Sequence, residues 1–281
     1  MPDLSQWQPR KWPISQPFHC PDISTGKVQV WRVNLDCTET VKTKLYSYLS
    51  ADERDRAARF KFDHHRHHFI AARGFLRLIL ATSLNQPPAS LMIEYGDRGK
   101  PFLSTPPQNS KFNPQPSTLP LRPTPPLHFN VSHSDGVALY AISRDRPVGI
   151  DIEAIRTVSS ITDLAQRFFF AEEAAVIQNL QPPQQEIAFF RGWTRKEAYL
   201  KATGDGLSGL ETIPVALLTP ISAQTHTQMT IGDNWWLTDI ALEDDLMGAI
   251  AIGIEPSPPS QGSHPAHEIP PPLQFFHLIP V

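Results

Sequence analysis

The sequence predicts an α+β protein made of two similar α+β halves. Three observations carry that expectation. Helical and strand periodicities both occur close together: Phe190, Trp193, Glu197 and Leu200 fall on one helix face, while Val148, Ile150 and Ile152 alternate with Gly149, Asp151 and Glu153. The order strand, helices, Arg-Phe, long helix, strands also occurs twice. Arg59-Phe60 precedes the helix carrying Ala71-Ala72-Arg73-Gly74-Phe75-Leu76, and Arg167-Phe168 precedes the one carrying Phe189-Phe190-Arg191-Gly192-Trp193. The 29 prolines cluster, eight of them within residues 103–127, in stretches that cannot supply a core. The expected organisation is a Pro-rich leader (1–27), an N-terminal half (28–145, with a mobile Pro-rich insertion at 103–127), a C-terminal half (146–254) and a Pro-rich tail (255–281), disordered over 255–272, with its final Phe275-Phe276-His277-Leu278-Ile279 able to dock on the core.

Composition narrows the function. The chain has 281 residues, enough for one large or two small cores. With 25 basic and 28 acidic residues there is no overall field favouring nucleic acid, so any anion site must be local. Cys20 and Cys37 alone make no disulfide framework. The start of the chain has no apolar h-region, and no run of about 18 apolar residues could span a membrane. A soluble cytoplasmic protein follows as the expectation, with neither membrane nor nucleic acid as partner. Two similar halves in one chain point to a monomer.

The elements follow in order. Val28, Val30 and Val33 around Trp31 predict a strand at 28–36. Leu45, Tyr48 and Leu49 make a short helical face. Ser50 as N-cap and Glu53 at N3 form a capping box that opens a helix running to Phe60. Asp63-His64-His65-Arg66-His67-His68 then leads into a longer helix, Phe69 to Ser83. His64 and His68, i and i+4, have metal-pair spacing, but only Asp63 stands beside them, and a solvated, anion-facing helix start is the better reading. With Arg54, Arg56, Arg59, Arg66 and Arg73 this segment is the one concentrated basic patch, either a solvated surface or a phosphate site.

Leu91 to Tyr95 reads as a short strand, followed by a glycine-rich turn, Gly96 to Phe102, that presents Lys100. It is not a phosphate-cradling GxxxxGK[ST] loop. In Leu127 to Gly136, neighbouring Ser132 and His133 point to opposite faces of an extended chain, so they cannot act as a nucleophile–base pair. No GxSxG elbow occurs either. A hydroxyl and an imidazole at a strand end before a glycine turn suit phosphate contacts. Val137 to Ile142 forms the next strand.

Asp151 and Glu153 share one strand face about 6.5–7 Å apart at Cα, a spacing at which two carboxylates can converge on one hard cation. With oxygen ligands only, Mg²⁺ is favoured over Zn²⁺. A strand with a polar solvent face is the plainer alternative. Helices are expected at 159–168, 171–180 and 184–203, the last opened by Pro182-Pro183 and closed by Gly204. Strands are expected near 213–219, 227–231, 235–242 and 247–254. On the long helix Glu197 sits in an apolar stripe, with Lys201 one turn on in the favourable i,i+4 order. The pair reads either as a partly exposed ion pair or as part of a site.

Three motifs stand in order: Gly99-Lys100-Pro101 with Phe129-Asn130-Val131-Ser132-His133-Ser134; Val148-Gly149-Ile150-Asp151-Ile152-Glu153; and Trp193-Thr194-Arg195-Lys196-Glu197-Ala198-Tyr199-Leu200-Lys201. Together they resemble the Sfp-type family of 4′-phosphopantetheinyl transferases over roughly residues 28–254. The resemblance implies a pseudo-twofold pair of α+β halves. It also implies Mg²⁺-dependent transfer of the phosphopantetheine arm of coenzyme A to a serine of an apo carrier protein, with release of 3′,5′-ADP. Asp151, Glu153 and Glu197 match the family's metal-binding acids, and Glu197 is also the candidate base. Lys201 matches a phosphate contact that aids the leaving group. Lys100, Ser132 and His133 match positions that hold the 3′-phosphate and pyrophosphate of coenzyme A, and Arg56 a further phosphate-binding position. His68 stands where the family usually has an arginine. Two other readings use the same residues: an Mg²⁺-dependent nucleotide or diphosphate hydrolase, and a non-catalytic module that binds coenzyme A or a carrier protein.

Overall fold

A computed structural model of the chain describes residues 4–104, 127–206, 210–215, 229–231, 234–254 and 271–281. Its elements in order are β1 (Gln8–Trp12), β2 (Val28–Asn34), α1 (Glu39–Tyr48), α2 (Ala51–Ala58), α3 (Asp63–Leu84), β3 (Ile93–Tyr95), β4 (Pro101–Leu103), β5 (His128–Ser134), β6 (Val137–Ser143) and β7 (Val148–Ala154). Then come α4 (Ile161–Phe168), α5 (Ala171–Asn179), α6 (Gln184–Thr203), β8 (Met229–Thr230), β9 (Trp235–Ile240), β10 (Leu246–Gly253) and β11 (Leu273–Pro280). The fold is α+β, as the sequence predicts.

Two sheets carry it. One has the order β1-β11-β2-β6-β5 and the other β7-β10-β9-β8, while β3 and β4 form a separate hairpin. Alternation sorts the side chains into three cores. Trp31 and Val33 of β2 join Ala138, Tyr140 and Ile142 of β6 under Phe75, Leu76 and Ile79 of α3. Val28 and Val30 point the other way, into a core shared with Leu139, Val148, Ile150, Ile152, Ile250 and Ile252. On the far side of the second sheet, Leu237, Ala249 and Ala251 meet Phe189, Phe190, Ala198 and Leu200 of α6. The layers therefore run helix, sheet, sheet, helix, and β7 is the strand of the second sheet that lies beside β5 of the first.

Local chemistry explains most boundaries. Ser50 and Glu53 form the expected capping box, with the Ser50 amide donating to Glu53 Oε2 at 3.1 Å. Asp135 (φ 44°) and Gly136 (φ 75°) make the tight turn between β5 and β6. Gly204, at φ 84°, ends α6 with its amide on the Leu200 carbonyl.

The structure departs from the expectations at both ends of the chain. Residues 8–12, read as leader, and 273–280, read as the end of the Pro-rich tail, are strands. β11 lies parallel between β1 and β2, pairing Phe276 with Trp31 and Leu278 with Val33. Phe275, Phe276 and Leu278 are buried there, and hydrophobic burial outweighs the proline content of the segment before them. Strand β1 then pairs with the other edge of β11, and Trp7 beside it donates to the Ala241 carbonyl at 3.0 Å. Of the strands expected near 213–219 and 227–231, residues 213–215 are not extended in a sheet, 216–219 lie outside the described residues, and Met229–Thr230 forms β8. The insertion from 105 to 126 and residues 255–270 also lie outside them.

Candidate active site

The site is built where β5, β7 and α6 meet. Gly149 on β7 makes the meeting possible. A Cβ there would lie 2.1 Å from the Ala198 carbonyl oxygen and 2.3 Å from the Ala202 amide nitrogen, so only glycine lets α6 lie this close. Glu197 and Lys201, which immediately precede those two alanines on α6, are thereby held near Asp151. Asp151, two residues from Gly149 on the same strand face, is 2 % exposed.

Lys201 resolves the choice left by its spacing. Its Nζ does not pair with Glu197; it donates to Asp151 Oδ1 at 2.6 Å and to Ser132 Oγ at 3.1 Å. Ser132 Oγ in turn donates to Asp151 Oδ1 at 2.8 Å. The other carboxylate oxygen, Asp151 Oδ2, is buried with no hydrogen-bond partner among the described residues. Burial raises the Asp151 pKa, and Lys201 and Ser132 counter this only in part. Glu197 is half-buried and its pKa is raised to about 7. Burial is the largest cause; Lys201 pulls it down, while Asp151 and Glu153 push it up. Three carboxyl groups thus share one field with a single lysine bonded to one of them.

That field bears on a metal. Among the described residues no group of three or more His, Cys, Asp or Glu is gathered to hold a metal ion. The donor set nevertheless fits a hard cation. It is all oxygen, one buried carboxylate oxygen lacks a partner, and the Glu197 pKa is raised by burial and by repulsion that a cation would relieve.

Strand β5 joins the site through every second residue. Asn130 Oδ1 accepts from the Ile150 amide at 2.9 Å. Ser132 bonds Asp151, and Ser134 Oγ donates to Glu153 Oε2 at 3.1 Å while accepting from the Ala154 amide at 3.0 Å. These side chains form a ladder between two strands that belong to different sheets.

A cavity of ≈ 240 Å³ opens beside this cluster, lined by Arg98, Lys100, Asn130, Glu197, Leu200 and Lys201 among others. It lies between the β3–β4 hairpin, β5 and the end of α6. Lys100 Nζ donates to the Ala202 carbonyl at 2.6 Å, at the negative end of α6, and burial lowers its pKa to about 8. Arg98 reaches Asp205 on the same helix end.

The remaining predicted contacts scatter. His133 follows Ser132, and desolvation of its ring, then Lys201 and His68, lower its pKa. His68 Nε2 is 2.8 Å from Asp36 Oδ1, near the Gly136 turn. Arg56 is exposed, lies over the Phe69 ring at 5.3 Å and does not line the cavity. The basic patch is largely spent on the fold. Arg73 is buried with Nε donating to Glu53 Oε1 at 2.8 Å, Arg66 pairs with Asp63, and Arg54 donates to the Ser47 carbonyl at 3.3 Å. The histidines are spread as well: His64 packs on His65 at 3.9 Å between ring centres, and His67 faces Lys42 at 3.3 Å.

Four residues near the site carry work that the sequence reading did not assign. Gly149, Asn130 and Ser134 position the carboxylate strand. Lys196, fully buried, donates to the Leu210 and Ile213 carbonyls at 2.9 and 2.8 Å and pairs with Glu173 at 2.9 Å, tying α6 to the chain that follows it. The period-2 spacing of Asn130, Ser132 and Ser134 was a usable signal. The fate of Lys196, next to an acidic neighbour in a charged stretch, was not.

Comparison with known proteins bears on the same region. A family model described as the 4′-phosphopantetheinyl transferase superfamily matches residues 147–246, and one described as the N-terminal part of a 4′-phosphopantetheinyl transferase matches residues 36–144. The chain is 38% identical over 230 residues to the 4′-phosphopantetheinyl transferase HetI of Nostoc sp., covering 82% of this chain and 89% of that protein. It is 28% identical over 220 residues to the L-aminoadipate-semialdehyde dehydrogenase-phosphopantetheinyl transferase of Xenopus laevis, covering 73% and 68%. To the 4′-phosphopantetheinyl transferase of Bacillus subtilis it is 28% identical over 165 residues, 59% of this chain and 64% of that protein.

Proposed function

The chain belongs to the 4′-phosphopantetheinyl transferase superfamily and moves phosphopantetheine from coenzyme A to carrier proteins, and from that premise we propose that the carboxylate cluster on β7 and α6 is its catalytic centre. Asp151, Glu153 and Glu197 would hold Mg²⁺, which when bound supplies charge neutralisation on the pyrophosphate of coenzyme A. The observation that carries this reading is Glu197: a carboxyl titrating at about 7, beside a buried and half-unpaired Asp151, has the pKa of a working base and the surroundings of a cation site.

The reaction then divides among the chain's own groups. The carrier serine hydroxyl attacks the phosphorus that bears the pantetheine arm, and its proton passes to a Glu197 carboxylate oxygen. A new P–O bond forms to serine while the bridging P–O bond of the pyrophosphate breaks, and 3′,5′-ADP leaves. Lys201, already at the edge of the cavity, moves its positive charge from Asp151 toward the leaving phosphate. Lys100, Ser132 and His133 hold the phosphates, and His68 stands where the family usually has an arginine. Arg56 has the weakest case, since it stands on Phe69 and away from the cavity lining. We assign the protein a cytoplasmic, monomeric existence; no helix among the described residues is long and apolar enough to cross a membrane.

Intact mass of apo carrier proteins of fatty-acid, polyketide and peptidyl type, after incubation with the protein, coenzyme A and Mg²⁺, tests the assignment. One phosphopantetheine arm is expected on at least one carrier, with stoichiometric 3′,5′-ADP, and its loss with EDTA and with Glu197→Gln. Transfer that survives EDTA would remove the metal from this reading. Transfer at the normal rate by Glu197→Gln would remove the base.

A further inference from the structure

The ladder from β5 to β7 contains a residue with a role of its own. Ser134 Oγ makes two bonds: it accepts from the Ala154 backbone amide at 3.0 Å and donates to Glu153 Oε2 at 3.1 Å. The first bond ties the oxygen to the β7 backbone, and its proton is donated to Glu153. The same Oε2 has a second suitor. Arg156 Nη1 lies 3.5 Å away on an exposed side chain, with its guanidinium over the Phe190 ring at 5.2 Å. A carboxylate on three single bonds has many rotamers, and Glu153 stands between an inner hydroxyl donor and an outer cation.

We propose that Ser134 is a positioning residue for Glu153: it holds the carboxylate on the Asp151 side of β7, against the pull of Arg156, in the orientation that binds the divalent cation. The inference rests on the metal reading above and names a second determinant of it. Residues that orient a metal ligand through a hydrogen bond change metal affinity by roughly 10- to 100-fold when lost. Ser134 makes no bond to Asp151, Glu197 or Lys201, so its effect on the cluster should pass through Glu153 and the adjoining β7 backbone at Ala154.

Mn²⁺ binding, read as the disappearance of the free-ion electron paramagnetic resonance signal, tests this without turnover. Wild type, Ser134→Ala, Ser134→Thr, Arg156→Gln and Asp151→Ala would be titrated as full-length protein with coenzyme A present. Ser134→Ala should weaken binding about tenfold and Ser134→Thr, which keeps the hydroxyl, less than about threefold. Arg156→Gln, a surface change that should leave folding intact, should tighten it by about two- to threefold, because Glu153 loses its competing cation. Wild-type affinity in Ser134→Ala, with binding lost in Asp151→Ala, would overturn the role of Ser134 and leave the metal site standing. Weaker binding in Arg156→Gln would overturn it too, by making the arginine the orienting group. Binding unchanged by Asp151→Ala would sink the metal reading and this inference together.

Discussion

Helices α3 and α6 hold corresponding places, each laid along the outer face of one sheet, and they treat charge in opposite ways. On α3 the buried cations Arg73 and Arg77 both close on Glu53 from α2, and Arg77 goes on to the Pro88 and Leu91 carbonyls at 3.0 Å each. Each guanidinium meets its own oxygen of the one carboxylate. On α6 some charges are settled the same way, Arg195 against Asp239 at 2.6 Å and Lys196 against Glu173. The turn over β7 is different: Glu197 and Asp151 are crowded together with one lysine between three carboxyls. One half uses buried ions to lock two helices together. The other keeps negative charge unbalanced where a cation and a phosphate can complete it.

That contrast predicts where substitutions act. The largest effect on turnover is expected from Glu197→Gln, about 10²- to 10⁴-fold, the usual contribution of a positioned base, with the folded state retained. Single-turnover rates under saturating coenzyme A would measure it. The largest effect on stability is expected from Glu53→Ala, which leaves two buried guanidiniums without their anion and should cost about 3–5 kcal/mol in urea unfolding. Transfer rate per folded molecule should stay near normal. If it collapsed instead, the N-terminal cluster would be part of the site and the division between the halves would fail.

Gly149→Ala comes next. The added methyl meets α6 backbone and should cost about 1–3 kcal/mol as the helix shifts. Because the shift parts Glu197 from Asp151, transfer should fall out of proportion to stability. Gly74→Ala is the counterpart on α3, where the added atom would stand 2.5 Å from Leu45 Cβ. It should destabilise similarly and spare the chemistry.

The smallest effect is one of sign with pH. Glu197 is raised from an ordinary 4.5 to about 7, so the folded protein holds a proton that the unfolded chain has released. Its contribution to stability is full below about pH 4.5 and is lost as pH rises to about 7. Glu53 runs the other way. Burial pushes it up, but Arg73 and Arg77 outweigh burial and hold it low, so its contribution is present at neutrality and lost as pH falls through the acid range. Metal-free urea melts between pH 4.5 and 7.5 should therefore flatten in Glu197→Gln and not in Glu53→Ala. An unchanged slope in Glu197→Gln would assign the raised carboxyl to another residue.

The sequence exposed these regions unevenly, for physical reasons. Helix α6 was bounded correctly at 184–203, because a proline pair, a helical apolar period and a glycine all act within a few residues of the chain. The alternation on β7 put Asp151 and Glu153 on the side that faces α6. Glu53 was read as a cap, which it is, but its bonds to Arg73 and Arg77 span 20 and 24 residues and leave no local mark. Lys201 was spaced for Glu197 and turned to Asp151, because a buried carboxylate on the neighbouring strand gains more from a cation than a half-buried one on the same helix. Strands β1 and β11 were missed, since Gln8–Trp12 carries little strand preference and a parallel pairing of Gln8 with Phe276, 268 residues on, has no turn to announce it.

The placement of β11 also governs how the chain can be made. A protein leaving the ribosome folds from its start, unit by unit, where each unit is complete. Here Val28 to Val33 wait for Leu273 to Leu278 as their neighbour, with nearly the whole protein synthesised in between. Until then the emerging N-terminal sheet presents an open edge to every other nascent chain. The sheet begun by β2 therefore cannot close until residues 273–278 arrive, and a chain that stops before them leaves β2 without its parallel neighbour.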